Sequence, residues 1–268
     1  MKAIFNAARE RIDSYKTIKL SSLKGAFNFH SPIEILFVAK GECKVWINDT
    51  ETILKDNEIA LVPSYQTHRY LSTIDNGEYI VLFISTIMCP LFVEEVNRKN
   101  IRFPIVRDCE TVEKIKYGIY KLLSKELNPI EQIGYINVIL GAFLHNAVFD
   151  NTERNQAYNL LSKLFLYINE HYKEELNADK IAKTLGYSKD YLLKYFRKQF
   201  QMGINEYVNT LRLNNALKLM QESNRSVTAC ALESGFCSMR TFYRSFNDEF
   251  GCSPREYLKK EGLHPQQK

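Results

Sequence analysis

The sequence predicts two domains of different class: an N-terminal β-barrel or sandwich followed by two helices, and a C-terminal all-helical bundle. Three observations support this. Apolar residues alternate in short segments up to about residue 105, they recur with helical spacing from about Thr111, and a helical motif occurs twice after Tyr158. The 268 residues, with 45% apolar and 25% charged side chains, fit one large or two modest globular domains.

The N-terminal strand candidates are short and separated by turn residues. In Cys43–Ile47 the apolar residues alternate with Lys44 and Trp46, which is typical of a strand with one buried face. Further candidates lie at residues 35–38, Glu58–Val62, 51–54 and 79–84. Short strands with regular turn signals predict a small sandwich or barrel.

Two helices are expected between residues 111 and 149, separated by Pro129. The second, at residues 133–149, is apolar over much of its circumference, so it is either an ordinary core helix or a dimer interface. Residues 151–157 are polar and lack periodicity, which indicates a linker. The predicted domains are therefore residues 1–150 and 158–268.

The C-terminal motif is a duplicated supersecondary unit. Its copies read IAKTLGYSKDYLLKYFRKQF at residues 181–200 and CALESGFCSMRTFYRSFNDEF at residues 230–250. Gly186 and Gly235 follow the first helix of each copy, where a positive φ ends the helix. Ser188 and Ser238 are expected to cap the second helix. These features predict two helix-turn-helix motifs, joined by one long helix at residues 204–221.

Each second helix buries a stripe of every fourth residue and turns polar side chains outward. The apolar stripes are Leu192, Phe196 and Phe200 in the first copy, and Phe242, Phe246 and Phe250 in the second. The opposite faces carry Lys189, Asp190, Lys194, Arg197 and Lys198, and Met239, Arg240, Thr241, Tyr243 and Arg244. Basic residues on the N-terminal half of such a helix favour contact with base edges of DNA over a merely solvated face.

The charge distribution agrees with an anionic partner for the C-terminal region. Residues 157–268 carry 17 Lys and Arg against 12 Asp and Glu, whereas the preceding residues carry 19 of each. The formal net charge of +5 therefore lies entirely in the region that contains the repeat.

Residues 158–260 resemble the AraC/XylS family of bacterial transcription regulators, through both copies of the motif, the long helix between them and the segment SPREYL. The resemblance implies seven helices and two recognition helices that enter successive major-groove segments. Carried over by position, it adds Leu193 to the DNA-reading candidates. Gln201 stands where the family usually has glycine. The implied partners are double-stranded promoter DNA and RNA polymerase. The apolar helix at residues 133–149 adds a second copy of the chain as an expected partner.

The N-terminal region is similar to the cupin-like sensing domain of such regulators. His30, Glu34 and Gly41 match the first cupin motif, and Pro63 and His68 match the second, in which Asn57 stands where glycine is usual. Asn28 stands where a metal-binding cupin has histidine, so we expect no metal and no cofactor. His30, Glu34 and His68 are instead expected to line a ligand pocket. Trp46 is either a stacking wall for a sugar or a residue of the outer face.

The resemblance implies a ligand-responsive regulator, an activator of carbohydrate or other metabolic genes, whose effector is a small molecule such as a sugar. No catalytic constellation is recognisable, so no catalytic residue is expected. The alternatives are a metal-dependent cupin enzyme with a DNA-binding tail, and a regulator whose barrel binds only a partner protein.

The first residues have no apolar segment of the kind that a signal peptide needs, so we expect none, and the longest apolar run, residues 79–93, is too short to cross a membrane. The six cysteines are scattered without a CxxC motif, as expected for free thiols in a reducing compartment. We therefore expect a cytoplasmic protein without membrane contacts.

Overall fold

The computed structural model describes residues 4–6, 8–48, 50–98, 100–124, 126–150, 156–200, 202–222 and 225–260. The chain divides into two units, Met1–Asn155 and Gln156–Lys268. The predicted linker at residues 151–157 lies outside the described residues up to residue 155, and its last two residues already belong to a helix. No helix among the described residues is long and apolar enough to cross a membrane.

The first unit consists mainly of two five-stranded sheets. Its strands are β1 Ile4–Phe5, β2 Tyr15–Leu20, β3 Asn28–Phe29, β4 Ile33–Lys40, β5 Cys43–Ile47, β6 Thr50–Leu54, β7 Glu58–Val62, β8 His68–Ser72, β9 Glu78–Ile84, β10 Asn100–Phe103, β11 Ile105–Val106 and β12 Val148–Asp150. One sheet has the order β1-β3-β8-β5-β6 and the other β11-β7-β4-β9-β2, while β10 and β12 form a separate pair.

Three helices cover the outer face of the second sheet: α1 Pro90–Arg98, α2 Cys109–Leu122 and α3 Pro129–Asn146. Both faces of strand β4 are apolar, because each face packs against a different layer of the unit. Leu36 and Val38 pack inside the barrel with residues of β5 and β9, whereas Ile35 and Phe37 pack against the helices. Because side chains alternate along a strand, Glu34 belongs to the face that points into the barrel.

The second predicted helix has different bounds in the structure. It begins at Pro129, because Asn128 and Glu131 form a capping box there. It ends at Asn146, so the prediction of a helix up to residue 149 is wrong. Val148–Asp150 instead pairs with β10 as an antiparallel strand, a contact between segments distant in sequence.

The second unit is entirely helical in its described part. Its helices are α4 Gln156–His171, α5 Ala178–Leu185, α6 Lys189–Phe200, α7 Ile204–Glu222, α8 Val227–Glu233, α9 Met239–Phe250 and α10 Pro254–Lys260. The central helix α7 is buried on more than one face. Its C-terminal half, from Leu213 to Met220, packs against α8 and α9, while contacts with α6 hold its other half.

Glycine ends the first helix of each motif with a positive φ, +76° at Gly186 and +94° at Gly235, as predicted. The two positions differ in space. A Cβ on Gly235 would come within 2.7 Å of the Lys173 backbone, whereas nothing lies within 4 Å of a Cβ on Gly186. Gly235 therefore permits a close approach as well as the left-handed conformation.

We expect Gly186→Ala to lower the free energy of unfolding of the second unit by about 1–2 kcal/mol, the cost of the left-handed conformation. Gly235→Ala is expected to cost about 2–5 kcal/mol, since overpacking against backbone adds about 1–3 kcal/mol. Urea denaturation of the full chain, followed by far-ultraviolet circular dichroism, measures both. Equal losses for the two variants would contradict the close approach at Lys173.

Candidate nucleic-acid interface and effector cavity

The first helix-turn-helix consists of α5 and α6. Asn177 caps α5 by accepting from the Lys180 amide, and the Ser188 hydroxyl accepts from the Tyr191 amide at 3.3 Å, as predicted for the cap of α6. The stripe Leu192, Phe196 and Phe200 is buried. This burial fixes which face of α6 is turned to solvent.

The exposed face of α6 carries most of the residues expected to contact DNA. Asp190, Lys194, Arg197 and Lys198 are exposed, whereas Leu193 is half-buried. Lys189 is exposed, but its Nζ lies 2.6 Å from Asp179 Oδ2 on α5. Because both partners are largely solvated, such a pair contributes at most about 1 kcal/mol and is readily exchanged for a phosphate.

The second helix-turn-helix consists of α8 and α9. Arg240, Tyr243 and Arg244 are exposed, and Met239 and Thr241 are half-buried. Ser226 caps α8. Ser238 occupies the N-cap position of α9, but the prediction that its side chain caps the helix is wrong, because that side chain makes no capping hydrogen bond. The turn before α9 is one residue longer than the turn of the first motif.

Helix α7 is joined to the loops around both motifs by buried polar contacts. The Arg212 guanidinium donates to the carbonyl oxygens of Tyr172 and Glu174, at 2.7 and 2.9 Å. The Asn215 amide donates to the Ser234 hydroxyl in the turn of the second motif, at 2.8 Å. These bonds support the expectation of a rigid connector.

The sequence analysis missed a row of tyrosines on α6 and the turn before it. Tyr187 stacks on Tyr191 and Tyr191 on Tyr195, with ring centroids 5.8 Å apart in both pairs and interplanar angles of 17° and 9°. Their spacing of four residues is the signal that could have revealed them. The row lies beside the basic side chains of α6.

The first unit contains a cavity of about 300 Å³, a volume suited to a small molecule. Polar groups of Glu34, Tyr70 and Asn28 meet apolar side chains such as Val81 and Phe83 in its wall. The full lining is Asn6, Arg9, Ile18, Leu20, Ser22, Leu23, Lys24, Gly25, Asn28, Glu34, Tyr70, Val81 and Phe83.

Three of the four predicted ligand-binding residues form one buried cluster beside this cavity. Glu34 Oε2 lies 2.8 Å from His30 Nε2 and 3.1 Å from His68 Nε2. The pairing of Asn28 with His68 joins β3 to β8, and Glu34 comes from β4 of the other sheet. The cluster therefore forms where the two sheets meet.

The surroundings of the cluster alter the ionisation of its members. Burial lowers the pKa of His30, and the hydrogen bond to the Glu34 carboxylate, which favours the charged ring, only partly opposes this. Burial by itself would raise the pKa of Glu34, but the two histidines facing it hold that pKa well below its usual value. Burial and the Glu34 carboxylate raise the pKa of Tyr70, whose hydroxyl stays protonated.

The segment before β2 lies against the cavity. The Arg9 guanidinium lies over the Phe83 ring, 3.9 Å from its centroid. Glu10 Oε1 accepts from the Ser31 amide at 2.5 Å, and burial raises the pKa of Glu10 to about 7. The Glu10 contact ties this segment to the loop before β4, and the Arg9 guanidinium thereby lies at the wall of the cavity.

Trp46 is not part of the cavity. The inward residues of β5 are Val45 and its alternate neighbours, so Trp46 points away from the barrel interior. Its indole Nε1 donates to Glu51 Oε2 at 2.8 Å, and Arg69 lies 5.2 Å from its ring. Of the two readings left open by the sequence, the structure supports the residue of the outer face, because strand alternation excludes it from the pocket.

Comparison with protein-family models gives two matches. A helix-turn-helix domain matches residues 181–260, and a cupin domain matches residues 17–85. Among curated proteins, the regulatory protein SoxS of Salmonella typhimurium is 35% identical over 98 residues, which cover 37% of this chain and 92% of SoxS.

Two further proteins are similar over different lengths. The melibiose operon regulatory protein of Escherichia coli is 27% identical over 109 residues, 41% of this chain and 36% of that protein. The chain thus matches about a third of that relative's length. The crystal structure of ToxT from Vibrio cholerae has a TM-score of 0.51 at 15% identity, covering 92% of this chain and 98% of ToxT, which supports the two-part fold.

A duplicated helix-turn-helix preceded by a cupin-like barrel defines a DNA-binding transcription regulator of the ligand-responsive class. The chain belongs to the AraC family of transcription regulators. The similarity to the family that the sequence motifs indicated is thereby confirmed, as are the cupin-like fold of the N-terminal region and the helical fold of the C-terminal region.

Proposed function

We propose that the chain acts as a cytoplasmic homodimer that activates metabolic genes when a small molecule occupies the barrel cavity. The observation that carries this proposal is the pairing of two exposed basic recognition helices, in one unit, with a polar cavity in the other. The barrel performs no reaction in this proposal, and RNA polymerase is the partner at the promoter.

Helices α6 and α9 form the DNA interface. Arg240 and Arg244 lie four residues apart, so they project from one side of α9. Both are exposed, and no ion pair with a described residue occupies either of them. They are therefore available for bidentate contacts with guanine, while Lys194 and Arg197 of α6 are available for bases or phosphates.

The connector length suits two contacts on one side of the duplex. Helix α7 has 19 residues, which span roughly 28 Å at about 1.5 Å per residue. Major-groove segments one turn apart are about 34 Å from each other, a distance comparable to this length. Each protomer is thus proposed to contact two successive major-groove segments.

The cavity is proposed to bind a small hydroxylated molecule, with sugars among the candidates. Glu34 supplies hydrogen-bond acceptors, while Asn28 and Tyr70 supply both donors and acceptors at the wall. Hydroxyl groups of a sugar match such a mixed set. The name of the melibiose operon regulatory protein agrees with this class of effector, although that protein covers only part of the chain.

The dimer interface is proposed on the exposed side of α3. Ile130, Ile133 and Val138 are 83%, 43% and 50% exposed, and they share one side of the helix. Gly134 and Gly141 lie on the same side, with nothing within 4 Å of the position of a Cβ. A second copy of α3 can therefore approach closely and cover this apolar surface.

The proposal is tested by selecting sequences from random double-stranded DNA with the full chain, followed by footprinting. We expect an enriched sequence, two protected segments about 10 base pairs apart for each protomer, and affinity that falls steeply with salt. Binding of all sequences with equal affinity at physiological salt would overturn the proposal.

A further inference from the structure

The wall of the cavity in the first unit carries two cationic side chains, Arg9 and Lys24, against one carboxylate, Glu34. Glu34 is already engaged, because His30 and His68 both lie within hydrogen-bond distance of its Oε2. Among the residues that the structure describes, none forms an ion pair or a side-chain hydrogen bond with Arg9 or with Lys24. The wall therefore has an excess of positive charge, and its two cations have no partner in the described chain.

The Arg9 guanidinium is held in position by the fold itself. It lies over the Phe83 ring inside the barrel, 3.9 Å from the ring centroid. The backbone that carries it is tied to β3, because the Asn6 amide donates to the Phe29 carbonyl oxygen at 3.0 Å, and the Arg9 amide donates to the Asn6 carbonyl oxygen at 3.0 Å. A ligand that binds to Arg9 thus has little side-chain motion to restrict, which favours affinity.

A half-buried guanidinium without an anionic contact is costly, because water is partly removed from the charge. Burial accordingly lowers the pKa of Arg9, and the negative charge of Glu34 opposes this without forming an ion pair. The N–H donors of a guanidinium form a planar fork that matches two oxygen atoms of a carboxylate or a phosphate group. The charge and the geometry of Arg9 both favour an anionic group in the cavity.

Other polar groups of the wall require hydroxyl groups of the ligand. The Tyr70 hydroxyl lines the cavity and is buried without a hydrogen-bond partner in the described part of the chain. The Glu34 carboxylate accepts hydrogen bonds and repels a second anion, so it favours a hydroxyl donor. Arg9 and Glu34 therefore select different groups, and a cavity of about 300 Å³ accommodates one small molecule that carries both.

We propose that the effector is a hydroxylated anion whose carboxylate or phosphate group is bound by Arg9, with Lys24 adding a second positive charge at the wall. Its hydroxyl groups contact Glu34 and the Tyr70 hydroxyl. The inference rests on the proposed function, which places the effector in this cavity, and it narrows the class of effector, because a neutral sugar leaves Arg9 without a partner. Carboxylate and phosphate oxygens present the same chemistry to a guanidinium, so the experiment has one arm for each.

Isothermal titration calorimetry of the full chain with matched acids and neutral compounds tests the class of effector. The carboxylate arm compares galacturonate with galactose and gluconate with sorbitol, and the phosphate arm compares mannitol phosphate with mannitol. We expect acids of one arm to bind at least about tenfold more tightly than their neutral counterparts, since hydrogen bonds to a charged group contribute at least that factor. Salt should reduce this preference. Equal affinities within every pair, or no binding of any acid at millimolar concentration, would overturn the proposal.

Arg9→Gln removes the charge and keeps a polar side chain. We expect it to weaken binding of the preferred acid by about 10- to 150-fold, with little change for the neutral counterpart. Arg9→Lys keeps the charge without the fork, so we expect a smaller loss. The matched control is Arg69→Gln, which removes an arginine that also lies against aromatic rings, Phe27 and Trp46, but on the outer face of the barrel. It should bind the acid like the parent chain.

Equal weakening of the acid and its neutral counterpart in Arg9→Gln would mean that Arg9 only shapes the cavity, and this result would overturn the proposal. Far-ultraviolet circular dichroism shows whether each variant is folded. The preference of the parent chain for acids, and its dependence on salt, test the proposal without any variant.

These titrations contain no DNA, so their outcome is separate from DNA recognition. If an acid binds through Arg9 and no DNA sequence is enriched, the anion site stands and the proposed function fails. If a sequence is enriched and no acid is preferred over its neutral counterpart, the regulator stands and the anionic class of effector fails.

Discussion

Arg240→Ala and Arg244→Ala are each expected to weaken binding to the selected DNA site by about 5- to 150-fold. A bidentate arginine contact with guanine contributes about 1–3 kcal/mol of discrimination, and about 1.4 kcal/mol corresponds to a factor of ten. Both guanidinium groups project from the exposed side of α9, whose opposite side is buried through Phe242 and Phe246. The substitutions should therefore leave the fold unchanged.

Fluorescence anisotropy with operators mutated one base pair at a time measures this prediction. Loss of a base contact should abolish the preference at one base pair, whereas loss of a phosphate contact weakens all sequences alike and lowers the salt dependence. Arg255→Ala is the matched control, since Arg255 is an exposed arginine of α10 in the same unit. An unchanged base preference in both variants would remove these arginines from the recognition set.

A doubly substituted chain, Ile133→Asp with Val138→Asp, is expected to be monomeric under conditions in which the parent chain is dimeric. Burial of one such side chain contributes about 1.5–3 kcal/mol, and the symmetry of a dimer repeats each loss in the second copy. The carboxylates that the substitutions place at the interface reduce the free energy of association further, because they would be buried as like charges. Affinity for an operator with two half-sites should fall with the dimer, while binding to a single half-site persists.

Analytical ultracentrifugation measures the oligomeric state, and two controls keep the prediction specific. Leu91→Asp on α1 alters a side chain that is 76% exposed and should change nothing. Ile136→Asp is expected to unfold the first unit, because Ile136 is buried against the second sheet together with Phe143. Fluorescence of Trp46 distinguishes unfolding from dissociation. A dimeric double variant would place the interface elsewhere.

Local pattern was sufficient for much of the fold. Strands β5 and β7 have the bounds that the sequence analysis predicts, and the duplicated helices, their glycine turns and the long α7 also agree with it. Each of these depends on residues close in the chain: periodicity, a cap or a positive φ. The strands β2 and β8 and the helix α1 were not predicted. The local side-chain patterns of the two strands do not alternate clearly, and their structure depends on pairing with β9 and β5, which are distant in sequence.

The candidate sites divide in the same way. The sequence by itself determined the two recognition helices and their outward basic residues, since the helical period dictates these. The grouping of His30 with Glu34 was implied by the resemblance to the first cupin motif. Only the tertiary structure decided that His68 joins Glu34 across two sheets, that Trp46 lies outside the barrel, and that Ile136 is a core residue while Ile133 is exposed. These outcomes depend on strand pairing and packing between distant segments, which no local period specifies.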